Sequence, residues 1–388
     1  MHRIRFANQL RGIAALAVAC SHLIGVFWAL PEVVSSATFS PAQGGPVPGL
    51  FWIANLAWFQ LGPFGVGLFF LISGLVIPFS LERHSRLSFM LARLLRIYPT
   101  YVAALLLQML VLYGAAQAWG RPFGYGGWTI AANALLIYDL IGQPSIDLVN
   151  WTLSVELKFY LLVVLLAGPI RRGSPAALIG AAASILLANA ALARLGWLDA
   201  APSTPLHTLS SHSLCLTYML LGTLFNFHLR GKIGTGWLAG SLVTLSLLFV
   251  ATWQMSVWRA QFPVVTLNYA YALILFAGLY AARRHIPRNP VLDALAAVSF
   301  PFYVLHSLLG YSVLRALMVG LGLGYEPALA GALAVVLAAC ALLHWAVERP
   351  TIRAGRRLAR GREAASQRVH HGNPHSATKA ASRAAEQT

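Results

Sequence analysis

The chain has 388 residues, 58% apolar and only 10% charged, with a mean hydropathy of +0.68 and a net charge of +17. Soluble domains average about 45–50% apolar and about 25% charged. Too few polar residues are present to clothe a soluble globule, and a disordered chain would have the reverse composition. An all-α polytopic membrane protein remains, and its basic excess reads as loop charge rather than as a nucleic-acid surface.

About ten spans are predicted, at roughly 8–30, 63–81, 94–116, 149–169, 175–195, 213–230, 236–256, 265–281, 292–317 and 327–347. A further apolar piece at about 128–141 is too short to cross and fits a re-entrant or interfacial segment. With both termini in the cytoplasm, 23 of the 28 Lys and Arg residues fall on the cytoplasmic side, a strong positive-inside asymmetry. The first span is not expected to be a cleaved leader, because Arg11 and His22 interrupt its apolar run and no small-x-small cleavage site is obvious after it. Residues 1–352 form the transmembrane domain. Residues 353–388 are a basic, aperiodic tail expected to be disordered, with His370, His371 and His375 solvated rather than metal-bound. The three Cys residues lie singly in apolar runs, and neither a disulfide framework nor a metal-ligand cluster is present in the sequence.

Ionisable groups inside spans cost about 2.5–3.5 kcal/mol each on insertion scales and are candidates for function. In the first span, Arg11 and His22 are eleven residues apart, three helical turns plus about 20°. They share a helix face and stand about 16 Å apart along it. Two readings fit: a snorkelling Arg with a hydrogen-bonded core His, or a path from a surface cation to a deep imidazole. Ser73, within Gly65–Gly74, is a possible nucleophile with no adjacent base in sequence, and the glycines of that stretch predict close helix packing.

Arg93 and Arg96 share a helical face, as bidentate phosphate binders or as plain positive-inside charge. Glu156 is the one acidic residue placed well within a span. It sits at a depth similar to His22, where a carboxylate could orient an imidazole for general base work. An ion pair is the competing reading, although Lys158, two residues on, faces elsewhere and is expected to snorkel outward. His306 and His344 complete the set, with His306 either lining the same cavity or structural.

Taken in order, these pieces resemble the acyltransferase-3 family of bacterial integral-membrane O-acyltransferases. Arg11 and His22 give its R-x10-H, and GVGLFFLISG at 65–74 is similar to its GVDxFFxxSG. Arg93 and Arg96 match its RxxR, and WTLSVELKFY at 151–160 resembles its WSLSxExxFY. SFPFYVLH at 299–306 and AVERP at 346–350 complete the series. The resemblance spans about residues 5–355.

It implies transfer of an acyl group, usually acetyl, from cytoplasmic acyl-CoA to a hydroxyl of a carbohydrate or glycolipid acceptor. It further implies His22 as the catalytic residue and Arg93 and Arg96 as acyl-CoA contacts. The expected site is therefore His22 and Glu156 as catalytic groups, Arg11, Arg93 and Arg96 on acyl-CoA, and Ser73 and His306 lining the cavity. No metal or resident cofactor is expected, and the partners are acyl-CoA, the acceptor and the lipid bilayer of the bacterial inner membrane. Gly67 stands where the family often has Asp or Pro, and Lys158 where a neutral residue is common. No hydrolase-type domain follows the last span, so the membrane domain is expected to act alone or with a separate protein. The rival reading is a proton-coupled transporter built on the intramembrane His and Glu. The lack of an internal repeat weighs against it.

Overall fold

The computed structural model describes residues 4–42, 44–199 and 204–355. All but the first three residues of the expected tail lie outside them. Among the described residues every named element is helical, and a single isolated bridge joins Asn55 and Gln60. In chain order the helices are α1 (Arg5–Cys20), α2 (Phe27–Ala29), α3 (Pro31–Thr38), α4 (Leu50–Ala54), α5 (Leu61–Arg83), α6 (Arg86–Ala118), α7 (Gly127–Ala134) and α8 (Trp151–Leu165). They continue with α9 (Ala167–Arg172), α10 (Pro175–Arg194), α11 (Pro205–Leu229), α12 (Thr235–Gln254), α13 (Val264–Ala281), α14 (Pro290–Leu305), α15 (Leu308–Arg315) and α16 (Tyr325–Leu343).

Among the described residues seven helices are long and apolar enough to cross a membrane, and α14 with α15 and the turn after it forms an eighth candidate bent by 70°. The other two expected spans differ for local reasons. The 149–169 span is broken at Leu166, leaving α8 only 15 residues long. The 213–230 span is the 25-residue α11, which opens on nine mostly polar residues (PLHTLSSHS) and is not among the seven. The 128–141 piece is α7 followed by a 3-10 turn at Tyr138–Leu140, too short to cross. Many helices are apolar on all sides, as lipid-facing helices are. Leu110, Leu165, Leu187 and Leu342 point outward and exposed.

Local sequence sets the helix starts. Ser85 caps α6 by accepting from Ser88 N, and Asn289 caps α14 by accepting from Val291 N and Leu292 N, with Pro290 at the first helical position. Gly173 ends α9 at φ 73°, a conformation that favours glycine.

The core is organised around α5, which packs on α1, α11, α13 and α8. Its glycines make the close approaches possible. A Cβ on Gly74 would lie 2.0 Å from Met219 O, and one on Gly222 would lie 2.3 Å from Leu71 O, so α5 and α11 cross almost backbone to backbone. Gly65 meets α1 in the same way, against Val18 and the Ala14 carbonyl. Gly67 packs on Ala272 and near Tyr269 and Tyr218, so this position faces a packed core.

Candidate functional site

α1, α5, α6, α8, α14 and the segment after α16 enclose a cavity of about 1640 Å³. That exceeds the roughly 300–1,000 Å³ of a usual small-molecule pocket and suits a long ligand. Its wall carries Arg11, Arg93, Arg96 and Glu156, with Arg83, His84 and Arg230 toward the end where α5 gives way to α6. Ser73 is on the wall, as are Thr152, Ser299 and Tyr303.

Arg93 is buried, and its Nε has no hydrogen-bond partner among the described residues. The guanidinium lies 5.6 Å from the Phe89 ring centre and 5.7 Å from that of Tyr160, which hold it by cation–π contact. A buried guanidinium with an unmet donor, facing a large cavity, is suited to an anion. Arg11 has Arg96, Arg93, Glu156 and Glu348 as its charged neighbours, so three guanidinium groups and two carboxylates share one field.

At the rim, Glu82 holds Arg230 and Lys232, and Lys232 also donates to the Arg171 carbonyl. Burial, and then the neighbouring Arg230, lowers the Lys232 pKa from its ordinary value. This cluster ties the ends of α5, α9 and α11 together.

Glu156 does not pair with His22. It accepts the Tyr160 hydroxyl at 2.6 Å, four residues along α8, and faces the arginines. His22 sits in a π-helical turn, Ser21–Val26, beyond the cavity wall, with Nδ1 2.9 Å from the Tyr311 hydroxyl. The sequence reading put carboxylate and imidazole together because both lay at similar depth. Their helices present them in different directions.

His306 is fully buried behind Tyr303 rather than on the wall. Its ring centre is 5.2 Å from that of His22, edge to face. So the structure gathers Arg11, Arg93, Arg96, Glu156 and Ser73 on one cavity, and sets His22 against His306 just outside its lining.

Lys158 does not snorkel. Its ammonium donates to Asp139 Oδ2 at 2.8 Å and to Ser154 Oγ at 2.6 Å, and its side chain is 14% exposed. The partner comes from the segment after α7, which the sequence reading left without a chemical role. His212 joins the pair, 3.4 Å from Asp139 Oδ2 and stacked on Trp151.

His344 was among the ionisable groups expected inside the spans, whereas Glu348 and Asp147 were not singled out. His344 and Glu348 both reach the cavity wall from a π-helical turn, bonded to each other at 2.6 Å. Asp147, in the loop before α8, accepts Ser307 Oγ at 2.5 Å and so fixes the α14–α15 bend. Burial raises its carboxyl to about 6, against the opposing hydrogen bonds from Ser307, Val149 and Gln108. The Glu-Arg-Pro end motif could have flagged Glu348. No sequence periodicity flags Asp147.

A bundle of apolar helices around a large cavity lined by several arginines defines a multi-pass membrane protein with a basic interior. Residues 4–345 match the family model described as an acyltransferase domain, and the chain belongs to this acyltransferase-3 family of membrane acyltransferases. No curated protein and no solved structure gives a significant match.

Proposed function

We propose that this membrane acyltransferase takes an acyl group, acetyl in the first instance, from cytoplasmic acyl-CoA and transfers it to a hydroxyl of a carbohydrate or glycolipid acceptor. Its setting would be the bacterial inner membrane, with both chain termini in the cytoplasm. The observation that supports the reading is the buried guanidinium of Arg93, whose Nε has no partner among the described residues, on the wall of a cavity large enough for a nucleotide thioester.

In this reading the nucleotide phosphates take Arg93 and Arg96, supported by Arg83 at the rim, and guanidinium forks suit phosphate oxygens. Arg11 holds the donor farther along the first helix. The thioester then reaches toward His22, whose Nδ1 is fixed by Tyr311 and whose other nitrogen is left for chemistry. His22 takes the proton of the hydroxyl as its oxygen attacks the thioester carbonyl. The carbon–sulfur bond breaks, and the CoA thiolate leaves and is protonated. Glu156 contributes by balancing the arginine charge rather than by orienting His22. The transporter reading needed a His22–Glu156 pair, and the two groups have different partners.

The test is acetyl-CoA binding and slow CoA release by the full-length protein in detergent, beside His22→Ala. Wild type should bind acetyl-CoA and release CoA. His22→Ala should bind it equally but lose about 10²–10⁴-fold in release, the usual worth of a general base. Folded wild-type protein that fails to bind acetyl-CoA would overturn the donor assignment.

A further inference from the structure

We infer that the Arg230 guanidinium at the cavity rim is a second phosphate site, and that it takes the 3′-phosphomonoester of the donor nucleotide. This rests on the acyl-CoA reading above. Arg230 is the residue that follows α11. It lies on the cavity wall with Phe79, Ser80 and Arg83 from the end of α5. Glu82 holds its Nη2. The other terminal nitrogen, Nη1, is buried and has no partner among the described residues. A buried guanidinium donor left unmet is costly and calls for an acceptor.

Its setting repeats that of Arg93. Both guanidinium groups stand by aromatic rings, Arg93 by Phe89 and Tyr160, and Arg230 at 5.8 Å from the Phe79 ring centre. Both keep a buried, unmet donor on the wall of the same cavity. Both have a carboxylate close by, Glu156 for Arg93 and Glu82 for Arg230. The two groups are nevertheless distinct. Arg93 shares its field with Arg11, Arg96 and Glu156, whereas Arg230 shares Glu82 with Lys232. One carboxylate there serves two cations, so the rim cluster keeps positive charge for an anion.

A cavity with two unmet guanidinium groups in separate clusters suits a ligand with two separate anionic groups. CoA has that form, with a diphosphate on the 5′ oxygen of its ribose and a phosphomonoester on the 3′ oxygen. The diphosphate continues into the pantetheine arm, so it belongs with the more buried Arg93 and with Arg96. The 3′-phosphate lies at the opposite end of the nucleotide and falls to Arg230, whose side chain is 17% exposed. Lys232 is not the reader, because its ammonium is already committed to Glu82 and to the Arg171 carbonyl. A guanidinium fork can keep Glu82 on Nη2 and offer Nη1 to a phosphate oxygen at the same time.

A bond that merely ties α5 to α11 would also use Arg230 and Glu82. Such a tie is indifferent to the 3′ substituent of a ligand, so a comparison of two nucleotides separates the roles.

The experiment is calorimetric titration of the full-length protein in detergent with CoA and with 3′-dephospho-CoA. Wild type should bind CoA about 10-fold more tightly, the worth of one charge-assisted hydrogen bond at a partly exposed position. Arg230→Gln should lose that preference and bind 3′-dephospho-CoA as wild type does. Arg93→Ala should weaken both ligands and keep the preference.

Wild type that binds the two nucleotides equally overturns the inference, and this arm needs no variant. A preference that survives intact in folded Arg230→Gln overturns it as well. Wild type that binds neither nucleotide overturns the donor reading instead. Phosphatidic acid retained by wild type but not by Arg230→Gln, with no preference between the nucleotides, would assign the guanidinium to a lipid headgroup and overturn the inference.

Discussion

The Tyr160 hydroxyl donates to Glu156 at 2.6 Å while the Arg93 guanidinium lies over the Tyr160 ring, so Tyr160 stands between an acid and a base on the cavity wall. The bond occupies one carboxylate oxygen and keeps Glu156 from closing on Arg93 as a plain ion pair. In the proposed reading this leaves Arg93 to the donor's phosphates. The arrangement needs only one helical turn of α8, since residues four apart are neighbours on a helix.

Tyr160→Phe should release Glu156 toward Arg93 and weaken acetyl-CoA binding by about 5–10-fold, the worth of one ordinary hydrogen bond. Glu156→Gln should act in the opposite sense on binding, because it removes a negative charge from the phosphate end, while turnover falls. Calorimetric titration of both variants checks the pair. Weaker binding by Glu156→Gln would remove the charge-balancing role.

Arg93→Ala should weaken acetyl-CoA binding by about 10–100-fold, as expected for a charge-assisted bond in a buried setting. Arg93→Lys should not restore it, because a point charge lacks the fork and loses the contact with Phe89 and Tyr160. Titration with CoA and with pantetheine separates the effects. The loss should appear with CoA and vanish with pantetheine, which has no nucleotide phosphates.

Gly74→Ala should destabilise the bundle by about 1–3 kcal/mol, because its methyl group meets the Met219 carbonyl in a crossing that cannot widen cheaply. Gly180→Ala is the control. It is a helical glycine with nothing within 4 Å of its Cβ position, and the change should be neutral or slightly stabilising. Thermal melts in detergent should order the proteins Gly180→Ala, wild type, Gly74→Ala.

Lys158→Met should leave Asp139 without its cation and cost about 3–5 kcal/mol, the usual result of breaking a buried pair from one side. Asp139→Asn combined with Lys158→Met should recover much of the loss, since no lone buried charge remains. A melt series of the two single variants and the double variant measures the coupling.

Several features follow from sequence alone. Apolar runs of about 20 residues require spanning helices, because a backbone in lipid must satisfy its own hydrogen bonds. The RxxR at 93 and 96 is readable because both residues lie within one regular helix, where spacing fixes direction. The ordered motifs from Arg11 to Pro350 likewise carried the family assignment, and the family match over residues 4–345 bears it out.

Tertiary structure decided what meets what. Tyr311 is 289 residues from His22, and Ser307 is 160 from Asp147, distances over which helical periodicity carries no information. Glu156 and His22 looked like partners because depth was the only coordinate that sequence supplied. Rotation about each helix axis then turned one toward the arginines and the other toward Tyr311 and His306. The π-helical turns at Ser21–Val26 and His344–Glu348 shift side chains off the regular 100° step, so the positions of His22, His344 and Glu348 depend on packing.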